Sequence, residues 1–256
     1  MAFVDLQNFS TPPERICDGG PFGNILKAFP PVPIDPHSRL GYSFRGEPCN
    51  AVDDYPADIC VGPSGFPKME PAEYGAEKEA ALMVIQSAFK CSTVGTTDEE
   101  LRENATGALK RHLWRSVDNS LVTLLAAEAV DQGAALTAEC LLANAAQYLA
   151  TNSYCGTGVI YGSTAFVASL GTEYIFREGN TLRDIFGNII VPSSVDLDVV
   201  YAFDSKVEVR TSEIELLDEY APGVRLVNDR VVRAEMVYTV AVDNCVVASF
   251  DLTPCT

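Results

Sequence analysis

The chain has 256 residues, 47% of them hydrophobic, with 35 acidic side chains against 18 basic ones and a formal net charge of −17. That length can bury roughly 70–75% of its unfolded surface, so a large core needs no disulfide or metal staples. The acidity argues against a nucleic-acid reader, which needs a basic face to displace counterions.

In chain order, residues 1–40 come first and are rich in proline: Pro12, Pro13, Pro21, Pro30, Pro31, Pro33 and Pro36. They have no basic start followed by an apolar run, so no secretory leader is expected and synthesis is assigned to the cytoplasm. Such a segment resists helix and central strand alike. Its apolar anchors (Phe3, Val4, Leu6, Ile16, Phe22, Ile25, Leu26, Phe29) are more than a disordered tail would carry. The segment reads as an extended arm whose anchors are too scattered for the main core and are buried against a neighbouring subunit. Residues 41–80 lack a core-like period; "LGYSFRG" reads as one strand of a long projecting hairpin. A strand, "AALMVIQSAFKC", follows the Gly/Pro loop.

At Thr97 a capping box opens a helix: Thr97 is the N-cap, Glu100 its partner, and Asp98 and Glu99 favour the positive helix end. Apolar residues recur at Leu101, Ala105, Leu109, Leu113, Val117, Leu121, Leu124 and Leu125. Gly107 and the pair Asp118-Asn119 weaken the helix slightly, and His112 and Trp114 read as packing residues. The expected helix, 97–125, is longer than most compact domains require. A second helix, "LTAECLLANAAQYLATN", ends near Ser153. A strand, "GTGVIYGS", and a short helix, "TAFVASLG", closed by Gly171, come next.

"TLRDIFGNIIVPSSV" has a turn at Phe186-Gly187-Asn188, with Gly187 expected at positive φ, and then a strand that stops at Pro192. Ile189 and Val191 should face one way and Ile190 the other. In "SKVEVRTSEIEL" the alternation Val207, Val209 slips phase to Ile214, Leu216, which predicts a bulge or tight turn at 211–213. "VVRAEMVYTVAV" alternates from Val232 to Val242. After a turn at Asp243-Asn244, Val246, Ala248, Phe250 and Leu252 are expected to return as its hairpin partner.

Chemistry-bearing motifs are missing. The sequence holds no G-x-S-x-G, P-loop, H-E-x-x-H or paired-carboxylate pattern. The glycines at 156, 158 and 162 precede a strand instead of following one, so they read as turn glycines between packed elements and not as a dinucleotide loop. None of the eight cysteines forms C-x-x-C, and the two histidines, His37 and His112, stand far apart. Free thiols are the default; Cys49 and Cys60 flank a proline-bearing loop and could pair under oxidising conditions. No apolar run approaches the ~18–20 residues of a bilayer span. The sequons at Asn8 and Asn104 read as chance. No catalytic, cofactor-binding or metal-ligating residue is assigned, no cofactor is expected, and the chain is read as a non-enzyme.

The order of these elements over most of residues 40–256 resembles the HK97-type fold, shared by major capsid proteins of tailed bacteriophages and by bacterial encapsulins. "GTGVIYGSTAFVASLG" and "TLRDIFGNIIVPSSV" look like the strand, helix and turn of that family's axial (A) domain. "DSKVEVRTSEIELLDEY" and "NDRVVRAEMVYTVAVDNCVVASFDL" look like closing strands of its peripheral (P) domain. The resemblance implies an α+β chain with an N-terminal arm (1–40) and an extended E-loop hairpin (41–80). It implies a P-domain (81–130 and 206–256, spine helix 97–125) and a mixed α/β A-domain (131–205). It further implies a structural major capsid protein, located in the virion and assembling into pentamers and hexamers around double-stranded DNA. Scaffold, portal and decoration proteins are its implied partners; sequence-specific DNA binding and membrane contact are not. Some family members crosslink a loop lysine to an asparagine; Lys68 and Asn244 sit in comparable regions, but no motif marks either. An encapsulin-like nanocompartment shell and a soluble metabolic enzyme are the alternatives.

Overall fold

The structure, a computed structural model, describes residues 7–8, 25–34, 41–45, 77–92, 97–135, 137–153, 157–178, 181–195, 197–204, 206–220, 229–243 and 246–252. In chain order the elements are β1 (Gln7–Asn8), α1 (Ile25–Ala28), β2 (Val32–Pro33), β3 (Tyr42–Arg45), β4 (Glu77–Ala80) and β5 (Met83–Ser92). The long helix α2 (Asp98–Glu128), β6 (Val130–Ala135), α3 (Ala138–Asn152), β7 (Val159–Ser163) and α4 (Thr164–Ser169) follow. Next are β8 (Ile175–Glu178), β9 (Thr181–Asp184), β10 (Ile189–Ser193), β11 (Val199–Phe203), β12 (Lys206–Thr211), β13 (Glu215–Tyr220), β14 (Asp229–Asp243) and β15 (Val247–Leu252).

The strands make three sheets. Seven run in the order β6-β15-β11-β7-β10-β9-β8; a second sheet runs β13-β14-β12-β2 with β5 also paired to β14; β1-β3-β4 form a small third. Period-two alternation sorts the side chains of the seven-stranded sheet between two cores. Ile160, Ile190, Val200, Ala202, Ala248 and Phe250 pack with Leu141, Leu142, Ala145 and Leu149 of α3 and Phe166 and Val167 of α4. Val159, Tyr161, Ile189, Val191, Tyr201 and Phe203 face the other way. They join the α2 stripe and Val232, Ala234, Met236, Tyr238, Val240 and Val242 of β14. The expected split of Ile189 and Val191 from Ile190 is therefore present.

Helix α2 starts where the capping box requires. Thr97 Oγ1 accepts from the Glu100 amide at 3.2 Å, and Glu100 Oε2 accepts from the Thr97 amide at 2.8 Å. Leu101, Ala105, Leu109, Leu113, Val117, Leu121 and Leu125 are buried along one face; full burial of each leucine or valine contributes roughly 1.5–3 kcal/mol. Leu124, expected on the stripe, is exposed, because it lies about 100° around the helix from Leu125. His112 is exposed, not packed, while Trp114 is half-buried against the core with the Arg115 guanidinium over its ring.

The phase slip near Ser212 is a bulge within one long strand track. Thr211 faces Tyr238 and Glu215 faces Glu235, so residues 212 to 214 stand against 236 and 237 only. The Ser212 amide donates to the Val237 carbonyl at 2.8 Å, and the Ser212 hydroxyl accepts from the Val237 amide at 3.0 Å. The side chain thus fills a ladder position that the bulge vacates.

Three expectations change. First, the proline-rich segment is not wholly an arm outside the main core. Ile25, Ala28 and Phe29 are buried in the same core as α2, and β2 pairs in parallel with β12. Pro30 and Pro31 lie beyond the short helix, and Pro33 sits on a sheet edge; neither position needs the missing N–H. Residues 9–24 and 35–40 lie outside the described residues. Second, β15 does not return beside β14. It enters the seven-stranded sheet between β11 and β6, where Ala248 and Phe250 face α3. Alternation marked it correctly as a strand but carried no information about its neighbour. Third, β10 runs through Pro192 to Ser193; there it pairs with β7 alone, its contact with β9 having ended at Ile190. A proline on that locally open edge costs no ladder bond.

The expected hairpin base is present: Tyr42–Arg45 pairs antiparallel with Glu77–Ala80. Tyr42, Phe44 and Ala80 form a small core of their own, and the Arg210 guanidinium lies 4.9 Å from the Tyr42 ring centroid. The stretch between, 46–76, with Cys49, Cys60 and Lys68, lies outside the described residues, as do His37, Asn244 and Gly156.

Candidate functional site: a caged turn and a buried polar cluster

The turn between β9 and β10 is built around one carboxylate. Asp184 is fully buried. Its Oδ1 accepts from the amides of Phe186 at 2.9 Å and Asn188 at 2.8 Å, and its Oδ2 accepts from Asn188 Nδ2 at 2.6 Å. The Asp184 amide donates to the Asn188 carbonyl at 3.0 Å, and the Gly187 amide to the Asp184 carbonyl at 3.1 Å. An Arg183 guanidinium nitrogen donates to the Gly187 carbonyl at 2.5 Å; Arg183 also pairs with Glu178 at 2.7 Å. Gly187 closes the turn at φ 94°, as the sequence required.

Asn188 anchors the turn to the sheet. Its Oδ1 accepts from the Gly158 amide at 2.9 Å. Gly158 is a close-approach glycine: a Cβ there would lie 2.4 Å from the Phe203 carbonyl oxygen. Gly162 is likewise crowded, by Phe166 and Val200. Both glycines serve close packing; Gly162 lies within β7 and not in the turn expected of it. The cage leaves the apolar pair at its tip no inward path: Ile185 is 58% and Phe186 61% exposed.

A second polar centre lies inside the molecule. Asp118, in the middle of α2, is 1% exposed. Its Oδ1 accepts from the Tyr161 hydroxyl. Its Oδ2 accepts from Ser193 Oγ at 3.1 Å, the Ser194 amide at 2.5 Å and Ser194 Oγ at 2.6 Å. Tyr161 also donates toward Ser193 Oγ at 2.9 Å. Burial, reinforced by the neighbouring Asp118 carboxylate, pushes the Tyr161 phenol far above its ordinary pKa. Sequence reasoning counted Asp118 only as a weak helix residue. The signal was its spacing: it stands four residues after Trp114 and three before Leu121, on the flank of the buried stripe.

Among the described residues, no group of three or more His, Cys, Asp or Glu side chains is placed to hold a metal ion. No helix among them is long and apolar enough to cross a membrane. The Asp118 cluster pairs a carboxylate with hydroxyls; Asp118, Tyr161 and Ser193 are closed off from solvent, and Ser194 is its exposed end. Its hydrogen bonds tie α2 to β7 and to the end of β10.

No family model and no curated protein matches the sequence. Solved structures do. The chain is similar to the virus-like particle from Pyrococcus furiosus, with a TM-score of 0.56 at 15% identity over 90% of this chain and 93% of that one. A structure from Microbacterium phage Oxtober96 gives 0.54 at 12% identity over 99% and 96%. The capsid structure of the cyanophage P-SCSP1u gives 0.51 at 10% identity over 96% and 93%. Likeness at such identities is likeness of fold, and it runs through nearly the whole of each chain; the protein therefore has the HK97-type fold of phage capsid and virus-like-particle proteins.

Proposed function

We propose that the chain is the major capsid protein of a tailed bacteriophage, assembling as pentamers and hexamers into an icosahedral head around double-stranded DNA. The single observation that carries the reading is the near full-length likeness to particle-forming proteins. On this reading residues 41–80 are the E-loop, 131–205 the A-domain with β15 joining its sheet, and 81–130 with 206–243 the P-domain, α2 being its spine. Residues 1–40 form the arm, with its 25–33 portion anchored in the subunit. Scaffold, portal and decoration proteins are its partners, the shell is built in the host bacterial cytoplasm, and its role is structural. A wall of net charge −17 repels packaged DNA instead of adhering to it. The caged turn with Phe186 at its tip is suited to meet equivalent turns around a capsomer axis, since a rigid apolar projection loses little entropy on contact.

An encapsulin-like compartment is the second reading, favoured by the likeness to a virus-like particle from Pyrococcus furiosus. Expression of the chain, alone and with a scaffold partner, followed by electron microscopy, tests both. Closed shells are expected. Nuclease-protected DNA inside shells formed with the packaging proteins supports the phage reading, and a protein cargo supports the compartment. Small discrete oligomers under every condition would refute both and restore the enzyme alternative.

A further inference from the structure

Helix α2 is tied by polar side chains to both sheets at one level. On one flank, Ser120 Oγ lies 3.2 Å from the Tyr238 hydroxyl, which also donates to the Ser116 carbonyl at 3.3 Å. These bonds hold α2 to β14 of the second sheet. Asp118 stands two residues from each serine, about 200° around the helix. It faces the other way, into Tyr161 of β7 and the Ser193-Ser194 end of β10 in the seven-stranded sheet. The remaining contacts of α2 with the two sheets are largely the apolar stripe. Apolar packing is non-directional and tolerates small sliding and tilting movements; a carboxylate caged by four donors does not.

We infer that the Asp118–Tyr161–Ser193–Ser194 cluster is a pivot lock that fixes the angle between the two sheets and so, on the shell reading proposed above, fixes the curvature with which copies join. The lever is long. Asp98 lies 20 residues from Asp118, about 30 Å along the axis, so a tilt of about 10° about the lock moves that end by about 5 Å. On the shell reading, a shift of that size would change the angle at which copies join. Asp118 is thus a positioning residue for assembly. The cluster also reaches α4: Thr164 Oγ1 donates to the Ser193 carbonyl at 2.7 Å, so the locked end of β10 is itself held.

The test replaces the lock by apolar groups of similar size, Asp118→Leu/Tyr161→Phe/Ser193→Ala, which leaves few buried polar groups stranded. Tyr161→Phe alone serves if the triple variant does not fold. Leu141→Ala, in the separate core under α3, is the control for general destabilisation. Shell diameters are measured by electron microscopy, and amide exchange is measured on the unassembled full chain. The expected result is folded subunits with about tenfold faster exchange around residues 116–120 and 161–163, together with a broadened diameter distribution that Leu141→Ala does not show. Uniform shells of wild-type diameter from folded lock variants would overturn the inference. So would equal broadening in the control. If the wild-type chain forms no shells, the capsid reading fails by itself. Exchange then decides the lock: acceleration confined to those two segments upholds it, and unchanged protection rejects it.

Discussion

Gly187→Val tests whether the β9–β10 turn is held by backbone conformation. The glycine has φ 94°, a region that a side chain disfavours even when space is free. Space is free here: the nearest atom to an added Cβ is Thr157 Cγ2 at 3.8 Å, an ordinary contact. The cost is therefore conformational, about 1–3 kcal/mol, with β-branched valine toward the upper end. For a chain of this size each kcal/mol corresponds to about 2–4 °C in Tm, so the expected fall is roughly 2–12 °C. Asparagine tolerates positive φ better than alanine or valine, so the order of loss should be Asn, then Ala, then Val. Calorimetry of the unassembled chain measures it, and on the proposed shell reading shell yield measured alongside should fall further, because each capsomer would repeat the error in every copy. Alanine and valine variants that melt and assemble with the wild type would refute the argument. The hydrogen bonds of Asp184 and Asn188 would then hold the turn whatever φ requires.

Phe29→Ala should cost about 3–5 kcal/mol, since a fully buried ring leaves a cavity, and deletion of residues 1–35 should lower the melting temperature by at least as much; a deletion variant melting with the wild type would return the whole segment to an external arm. Phe186→Ser should leave stability within about 0.5 kcal/mol, because the ring is exposed, while reducing shell yield; an unchanged yield would exclude the tip from the interface. Because burial holds the Tyr161 phenol protonated in the folded chain while the unfolded chain ionises near 10.0, the folded state retains the extra proton. Stability should therefore fall as pH rises above 10, by up to about 1.4 kcal/mol per unit. Tyr161→Phe should flatten that slope in an alkaline denaturation series.

Sequence periodicity located most elements because most are amphipathic. The capping box fixed the start of α2, and the phase slip at 211–213 is the observed bulge. The glycine after Phe186 has the positive φ that the turn demanded. Information ran out where an element's identity is local but its partner is not. Val247–Leu252 alternates like a strand in either sheet, and only the three-dimensional path between β6 and β11 decides its place. Ile25, Ala28 and Phe29 sit among prolines, which obscures a helix of a single turn. Asp118 was misjudged for a related reason: local helix propensity penalises an aspartate, and the four donors that satisfy it come from residues 43 to 76 positions away.

The two polar centres do opposite work with the same means. Inside, Asp118 turns a slippery apolar contact into a defined one, so its hydrogen bonds set the geometry of the subunit. In the β9–β10 turn, buried Asp184 puts the same kind of bonding into holding a turn whose apolar tip, Ile185 and Phe186, remains in solvent. A flexible loop of that sequence would fold Phe186 back and shield it. The cage and Gly187 prevent that, so the isolated subunit keeps an exposed apolar projection from which it gains no stability. What keeps such a chain dissolved is its −17 charge, which repels copies at long range and is screened over about 10 Å at 0.1 M salt. Contact between tips acts at short range and repulsion at long range. On the proposed shell reading, that balance suits a subunit that stays apart when dilute and joins its copies once they are brought close.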